Sequence, residues 1–131
     1  MHAAGDVARR QSPPFEMSTR IEQRTHAAVQ GMTAARNALA APEARKALAS
    51  VPYFWSEQYG MRIQAYGYLR GHDEVAVVEG NLAERRFVSA YRTGDRLNGA
   101  LAIGMPPRAV RRWRQAIAVR SAWRDAVPIR P

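Results

Sequence analysis

Cysteine is absent from all 131 residues. That excludes a redox dithiol, a thiolate nucleophile and a cysteine-held iron–sulfur site within this chain. Electron transfer here would need a bound organic group. Lysine is almost absent as well: Lys46 is the one lysine among 20 basic residues, so the net charge of +9 is carried by arginine. No run of eighteen apolar residues occurs, which removes a transmembrane helix, and the opening MHAAGDVARRQSPP lacks the apolar middle of a signal peptide. The expected location is the cytoplasm. The pattern G-x-G-x-x-G is missing throughout, and with it the glycine turn that cradles dinucleotide phosphates. His2, His26 and His72 share no ligand spacing and read as surface residues, so neither a metal site nor a catalytic residue is assigned.

What is present begins with the charge. An arginine-for-lysine usage is either the imprint of a GC-rich genome or a surface that steers anions, whether nucleic acid or an acidic protein. The most distinctive stretch is Val51 to Gly60, VPYFWSEQYG. Aromatic rings bring large apolar area, and Tyr and Trp add a polar tip that needs a partner. Such a cluster serves as a buried corner between two elements or as a platform for a planar ligand.

Residues 1–20 hold Pro13 and Pro14 and little periodicity, and read as an irregular arm. From about Arg20, an alanine-rich pattern (Ile21, Ala27, Ala28, Ala34, Ala35, Ala38, Leu39) predicts a helix. Ser18 or Thr19 is its expected N-cap, and Glu22 is set near its positive end. Gly31 inside that helix suggests close approach of another backbone. Pro42 ends the helix or opens a short second piece through Ala49. After the aromatic stretch the period drops to two: Met61, Ile63 and Ala65 form the buried face of a strand. Further strands are predicted over Glu74–Glu79, Arg86–Arg92 and Leu97–Gly104, with a hairpin turn at Thr93-Gly94-Asp95. Short links make the sheet antiparallel. Pro106-Pro107 opens a last helix whose stripe of Val110, Trp113, Ala116 and Ile117 covers the sheet, ringed by Arg108, Arg111, Arg112 and Arg114. Pro128 and Pro131 mark a frayed tail. The expected class is α+β: an antiparallel meander of about four strands under a C-terminal helix, preceded by an arm and a helix with no core of their own.

Three motifs then carry a resemblance. Ala3-Ala4-Gly5-Asp6-Val7-Ala8 resembles the segment near the end of the FAD-binding domain in two-dinucleotide-domain flavoprotein reductases. Arg20-Ile21-Glu22 with Ala27, Gln30-Gly31 and Ala34-Ala35 is similar to the helix that follows it. Val51 to Gly60 looks like the P-x-F-W-S-D/E-Q-Y signature that begins the C-terminal domain of the bacterial ferredoxin or rubredoxin reductase branch.

The resemblance implies an FAD enzyme that takes hydride from NAD(P)H and passes single electrons to a small, acidic, ferredoxin-like iron–sulfur protein. Residues 1–50 would be the end of the FAD-binding domain and 51–131 the reductase C-terminal, interface-like domain. Gly5 and Asp6 would meet the flavin ribityl chain. Arg24 and Thr25 would stand at the helix start that faces the flavin, and Phe54 and Trp55 beside the flavin or nicotinamide. Gln23, Arg24 and His26 occupy positions where the family commonly has His, Trp and Asn. With the phosphate-binding turns missing, the expectation is a C-terminal fragment that binds FAD weakly or not at all by itself. Alternatives are a non-catalytic module that pairs with a separately encoded FAD domain, or a nucleic-acid binder using Arg108 to Arg124 with Trp113 and Trp123.

Overall fold

The computed structural model describes residues 1–127, which separate into two compact units divided between Ser50 and Val51. The tail expected at Pro128 and Pro131 lies outside the described residues.

The first unit opens with a hairpin where an irregular arm was expected. Strand β1 (Arg9–Ser12) pairs antiparallel with β2 (Met17–Arg20), joined through a 3-10 turn at Pro13–Phe15 and a left-handed Glu16. The pattern was hidden because its period of two is carried by polar residues: Arg9 and Gln11 point outward while Ser12 is fully buried. Helix α1 (Arg24–Leu39) starts later than expected. Ser18 and Thr19 belong to β2, and Glu22 is bound to Arg20 at 2.7 Å, so neither caps nor neutralises the helix start. Gln23 stands at the N-cap without a side-chain cap bond, and no acid occupies the first turn. The alanine stripe is also not the buried one. The buried residues of α1 are His26 and Gln30, one turn apart, whereas Leu39 is 92% exposed. A Cβ on Gly31 would meet nothing within 4 Å, which corrects the expected close backbone approach. After Leu39 a 3-10 turn (Pro42–Ala44) is the remaining helical piece, and Ala47 to Ser50 is non-helical. Asn37 holds that segment with two bonds to Lys46, and Arg10 donates to the Leu48 carbonyl at 2.8 Å. Ala8 and Phe15 are the apolar part of this unit's small interior.

The second unit is a five-stranded antiparallel sheet: β3 (Tyr53–Gln58), β4 (Met61–Gly67), β5 (Glu74–Asn81), β6 (Arg86–Thr93) and β7 (Arg96–Ile103), in the order β3-β4-β7-β6-β5. The α+β class with an antiparallel sheet under a helix therefore holds, with one strand more than expected and one crossing. β5 to β7 are a true meander, and the β3–β4 hairpin joins it through β4 and β7. The added strand is the aromatic stretch itself. Its turn, Tyr59-Gly60, has positive φ at both residues (52° and 71°), the geometry that matches the twist of a two-residue hairpin. Gly80 in β5 is required: at φ 77° a Cβ would collide with the Arg86 carbonyl oxygen.

Helix α2 (Pro107–Ala118) buries Ala109, Val110, Trp113 and Ile117. It packs on β4 and β7, where register sets Gln64, Ala102 and Val88 in one row and Ala100 and Ala90 in the next. Gln64, expected on an outward face, is 1% exposed; it meets its polar needs through Tyr53 Oη, which donates to its Oε1 at 3.3 Å, and through the Met105 carbonyl at 3.4 Å. Arg120, at φ 48°, ends α2 with Ser121 N–H donating to the Ala116 carbonyl at 2.9 Å, before short helix α3 (Trp123–Ala126).

Candidate functional site

In the first unit, Gly5 and Asp6 open a tight turn closed by Ala8 N–H donating to the Gly5 carbonyl at 3.0 Å. Gly5 has φ 83° and nothing within 4 Å of where a Cβ would stand, so the turn is open to approach. The Gly5 N–H donates to Gln30 Oε1 on α1 at 2.7 Å. Asp6 is exposed. Arg24 and Thr25 are the first two residues of α1, both exposed. Gln23 makes no side-chain cap and no acid stands in that turn, so no carboxylate of the first turn offsets the partial positive charge of the helix start.

Beneath this surface lies His26, expected outside but only 4% exposed. Burial first, and then the nearby Arg10 guanidinium, hold its pKa below the ordinary imidazole value. Its Nε2 has no hydrogen-bond partner among the described residues, and neither has Ser12 Oγ.

In the second unit, the aromatic stretch divides into a corner and a platform. Pro52 is buried and its carbonyl accepts from Gly67 N–H at 2.9 Å. Tyr53 packs its ring 4.6 Å from that of Tyr66. Burial, then the neighbouring Tyr66, raises the Tyr53 pKa against the opposing pull of Arg62 and Arg111. Beyond Tyr53 the rings emerge: Phe54 is 45% and Trp55 48% exposed. They point to opposite faces. Trp55 sits opposite Gln64 on the helix-covered face, with the Arg62 guanidinium 5.6 Å above its ring. Phe54 sits opposite Ala65, on the face shared with Leu101. The two rings therefore do not form one continuous surface.

Of the α2 arginines, Arg112 reaches Glu79 at 2.9 Å and lies 5.3 Å from the Trp113 ring centre. Arg108, Arg111 and Arg114 are exposed and make no ion pair among the described residues. Trp113 is 6% exposed, so its ring is not offered to a nucleic-acid base.

Gly5, Asp6, Arg24, Thr25, Phe54 and Trp55 are the site residues that the resemblance implies. The structure sets the first four within one small unit and the last two side by side on β3. It adds Gln30 and Arg62. Gln30 stood in the sequence only as part of a motif; the signal that could have singled it out is the polar pair His26 and Gln30, four apart, within an alanine-rich helix.

A sheet of five antiparallel strands, entered through an aromatic edge strand and closed by one basic amphipathic helix, defines the class of domain. Residues 53–127 match the family described as Reductase C-terminal, and the chain belongs to that family. It is 36% identical over 85 residues to apoptosis-inducing factor 3 of Homo sapiens, covering 65% of this chain and 13% of that protein. It is 36% identical over 92 residues to the 5,5'-dehydrodivanillate O-demethylase ferredoxin reductase subunit of Sphingobium sp. (strain NBRC 103272 / SYK-6), covering 70% of this chain and 21% of that subunit. Among solved structures, that of the covalent putidaredoxin reductase–putidaredoxin complex matches with a TM-score of 0.76 and 29% identity, over 89% of this chain and 27% of the other. The chain is thus related to ferredoxin reductases, and it spans about a quarter or less of the length of these proteins.

Proposed function

We propose that this chain supplies part of an FAD-dependent NAD(P)H:ferredoxin oxidoreductase. Residues 1–50 contribute the end of the FAD-binding domain, and residues 51–131 an interface domain that meets the redox partner. The observation that carries the reading is the open Gly5–Asp6 turn in the same small unit as the uncapped start of α1. The fit is to one end of the cofactor. Asp6 offers a carboxylate to the ribityl hydroxyls, and the α1 start with Arg24 and Thr25 offers donors and positive charge to the pyrimidine edge. The pyrophosphate has no glycine turn in this sequence.

When bound, FAD accepts a hydride from NAD(P)H and releases the two electrons singly to an iron–sulfur acceptor. This chain's residues bind and orient. Positive charge at the α1 start, with Arg24, would hold the electron-rich pyrimidine edge of the flavin ring. Arg108, Arg111 and Arg114, exposed and without an ion pair among the described residues, give unit two a basic surface that attracts an acidic ferredoxin; the related putidaredoxin reductase is known in a covalent complex with putidaredoxin.

The test has two arms. The purified chain is expected to be colourless and to oxidise no NAD(P)H with an artificial acceptor; one yellow flavin per chain overturns the partial-site reading. Titration with an acidic [2Fe–2S] ferredoxin is expected to show binding that weakens as salt rises, and equal binding to arbitrary DNA would favour a nucleic-acid partner instead. A second reading is a docking module for a separately encoded FAD domain. Gain of NAD(P)H oxidation on mixing with such a domain would identify it.

A further inference from the structure

Gln30 is the seventh residue of α1, 5% exposed, and its side chain bonds to a residue 25 positions earlier. The bond is short: Gly5 N–H donates to Gln30 Oε1 at 2.7 Å. The Gly5 carbonyl is held as well, by Ala8 N–H at 3.0 Å. Both polar groups of Gly5 are therefore fixed, one by the helix and one by the turn. Gly5 itself sits at φ 83°, a left-handed conformation that glycine adopts without steric cost. The next residue, Asp6, leaves this clamped point with its carboxylate at the surface.

We infer that Gln30 is a positioning residue: its side-chain carbonyl clamps Gly5 so that Asp6 presents its carboxylate outward as an acceptor for the hydroxyl groups of a polyol ligand. The identity of that ligand as the flavin ribityl chain rests on the function proposed above. The clamp does not rest on it. A glutamine is suited to the task because a neutral acceptor on a long stem reaches across from the helix without burying a charge.

The test uses the 15N-labelled chain and three forms: wild type, Gln30→Met, which keeps the stem and loses the oxygen, and Gln30→Glu, which keeps an acceptor oxygen. Amide exchange read by NMR should find Gly5 protected in wild type. Gln30→Met should lose at least tenfold in protection at Gly5 while the amides of residues 31–37 stay protected, and Gln30→Glu should recover part of it. An unprotected Gly5 in wild type overturns the clamp by itself, even if Gln30→Met fails to fold. Titration with millimolar flavin mononucleotide, with lumiflavin (no ribityl chain) and inorganic phosphate as separate controls, addresses the ligand. Shifts at Asp6 with flavin mononucleotide alone, weakened about tenfold in Gln30→Met, support the whole inference. Equal shifts in both forms overturn the positioning role and leave the flavin reading standing. A protected Gly5 with no Asp6 response in wild type supports the clamp and overturns the role of Asp6 as the polyol acceptor.

Discussion

The two units bury different chemistry. Unit two buries Val88, Ala90, Leu97, Ala100, Ala102, Val110 and Ile117 completely, a mainly apolar interior between sheet and helix in which Gln64 and Ser89 are the buried polar side chains. Unit one buries Ser12, His26 and Gln30 beside little more than Ala8 and Phe15. Apolar burial is non-directional and adds up with area, whereas a buried polar group stabilises only when its partner is in place. Unit two is thus held by its shape. Unit one is held by individual bonds such as Gly5–Gln30, Arg10–Leu48 and the Asn37–Lys46 pair, while Ser12 Oγ and His26 Nε2 find no partner among the described residues. The element proposed to carry the cofactor turn is the one with the thinner interior. This agrees with the general tendency of ligand-binding segments to come from the less stable parts of a protein.

The strongest blow to this contrast should come from Trp113→Ala. Removing a ring that is 94% buried between α2 and the sheet should cost unit two about 3–5 kcal/mol. Urea denaturation followed by far-UV circular dichroism checks it, and a loss near zero would mean that α2 does not close the sheet. Next comes acidification of unit one. The folded-state pKa of His26 is depressed, so its neutral form is the one that the fold accepts. The stability it contributes is present above the unfolded value of about 6.5 and is lost as pH falls from there through the lower folded value. The protection factors of the amides at Phe15 and along α1, taken relative to intrinsic exchange at each pH, should therefore fall below about pH 6.5, and His26→Leu should remove that dependence. The smallest effect should run the other way. Gly31→Ala fills open space in a helix interior and should stabilise unit one by up to about 1 kcal/mol, read as slower exchange in α1.

The legible parts of the sequence were those governed by apolar periodicity. The α2 stripe, the valines of β5 and the Gly94 turn all announce themselves, because a sheet face and a helix stripe must be apolar at their own spacing. The first unit was read poorly for the same reason. Its buried positions are a serine, a histidine and a glutamine, and hydrophobic patterning is blind to them. The misjudged start of α1 has a similar origin. Ser18, Thr19 and Glu22 are the residue types of a helix N-terminus, yet pairing with β1 claims the first two and Arg20 the third. The aromatic stretch was seen as corner or platform but not as a strand, since Phe54 and Trp55 are both large and both exposed, leaving no alternation in hydrophobicity to detect.

That lack of alternation has a consequence for the order of the two rings. Strand register assigns each position to one side of the sheet, so a slip of β3 by a single residue would exchange their surroundings. Phe54 would come under the Arg62 guanidinium, where a phenyl ring gives a weaker cation–π contact than an indole, and Trp55 would turn its N–H toward Leu101 and Ala65. Two adjacent aromatics thus act as a word that reads only one way: Phe before Trp keeps the polar edge of the indole on the arginine side and the wholly apolar ring on the other.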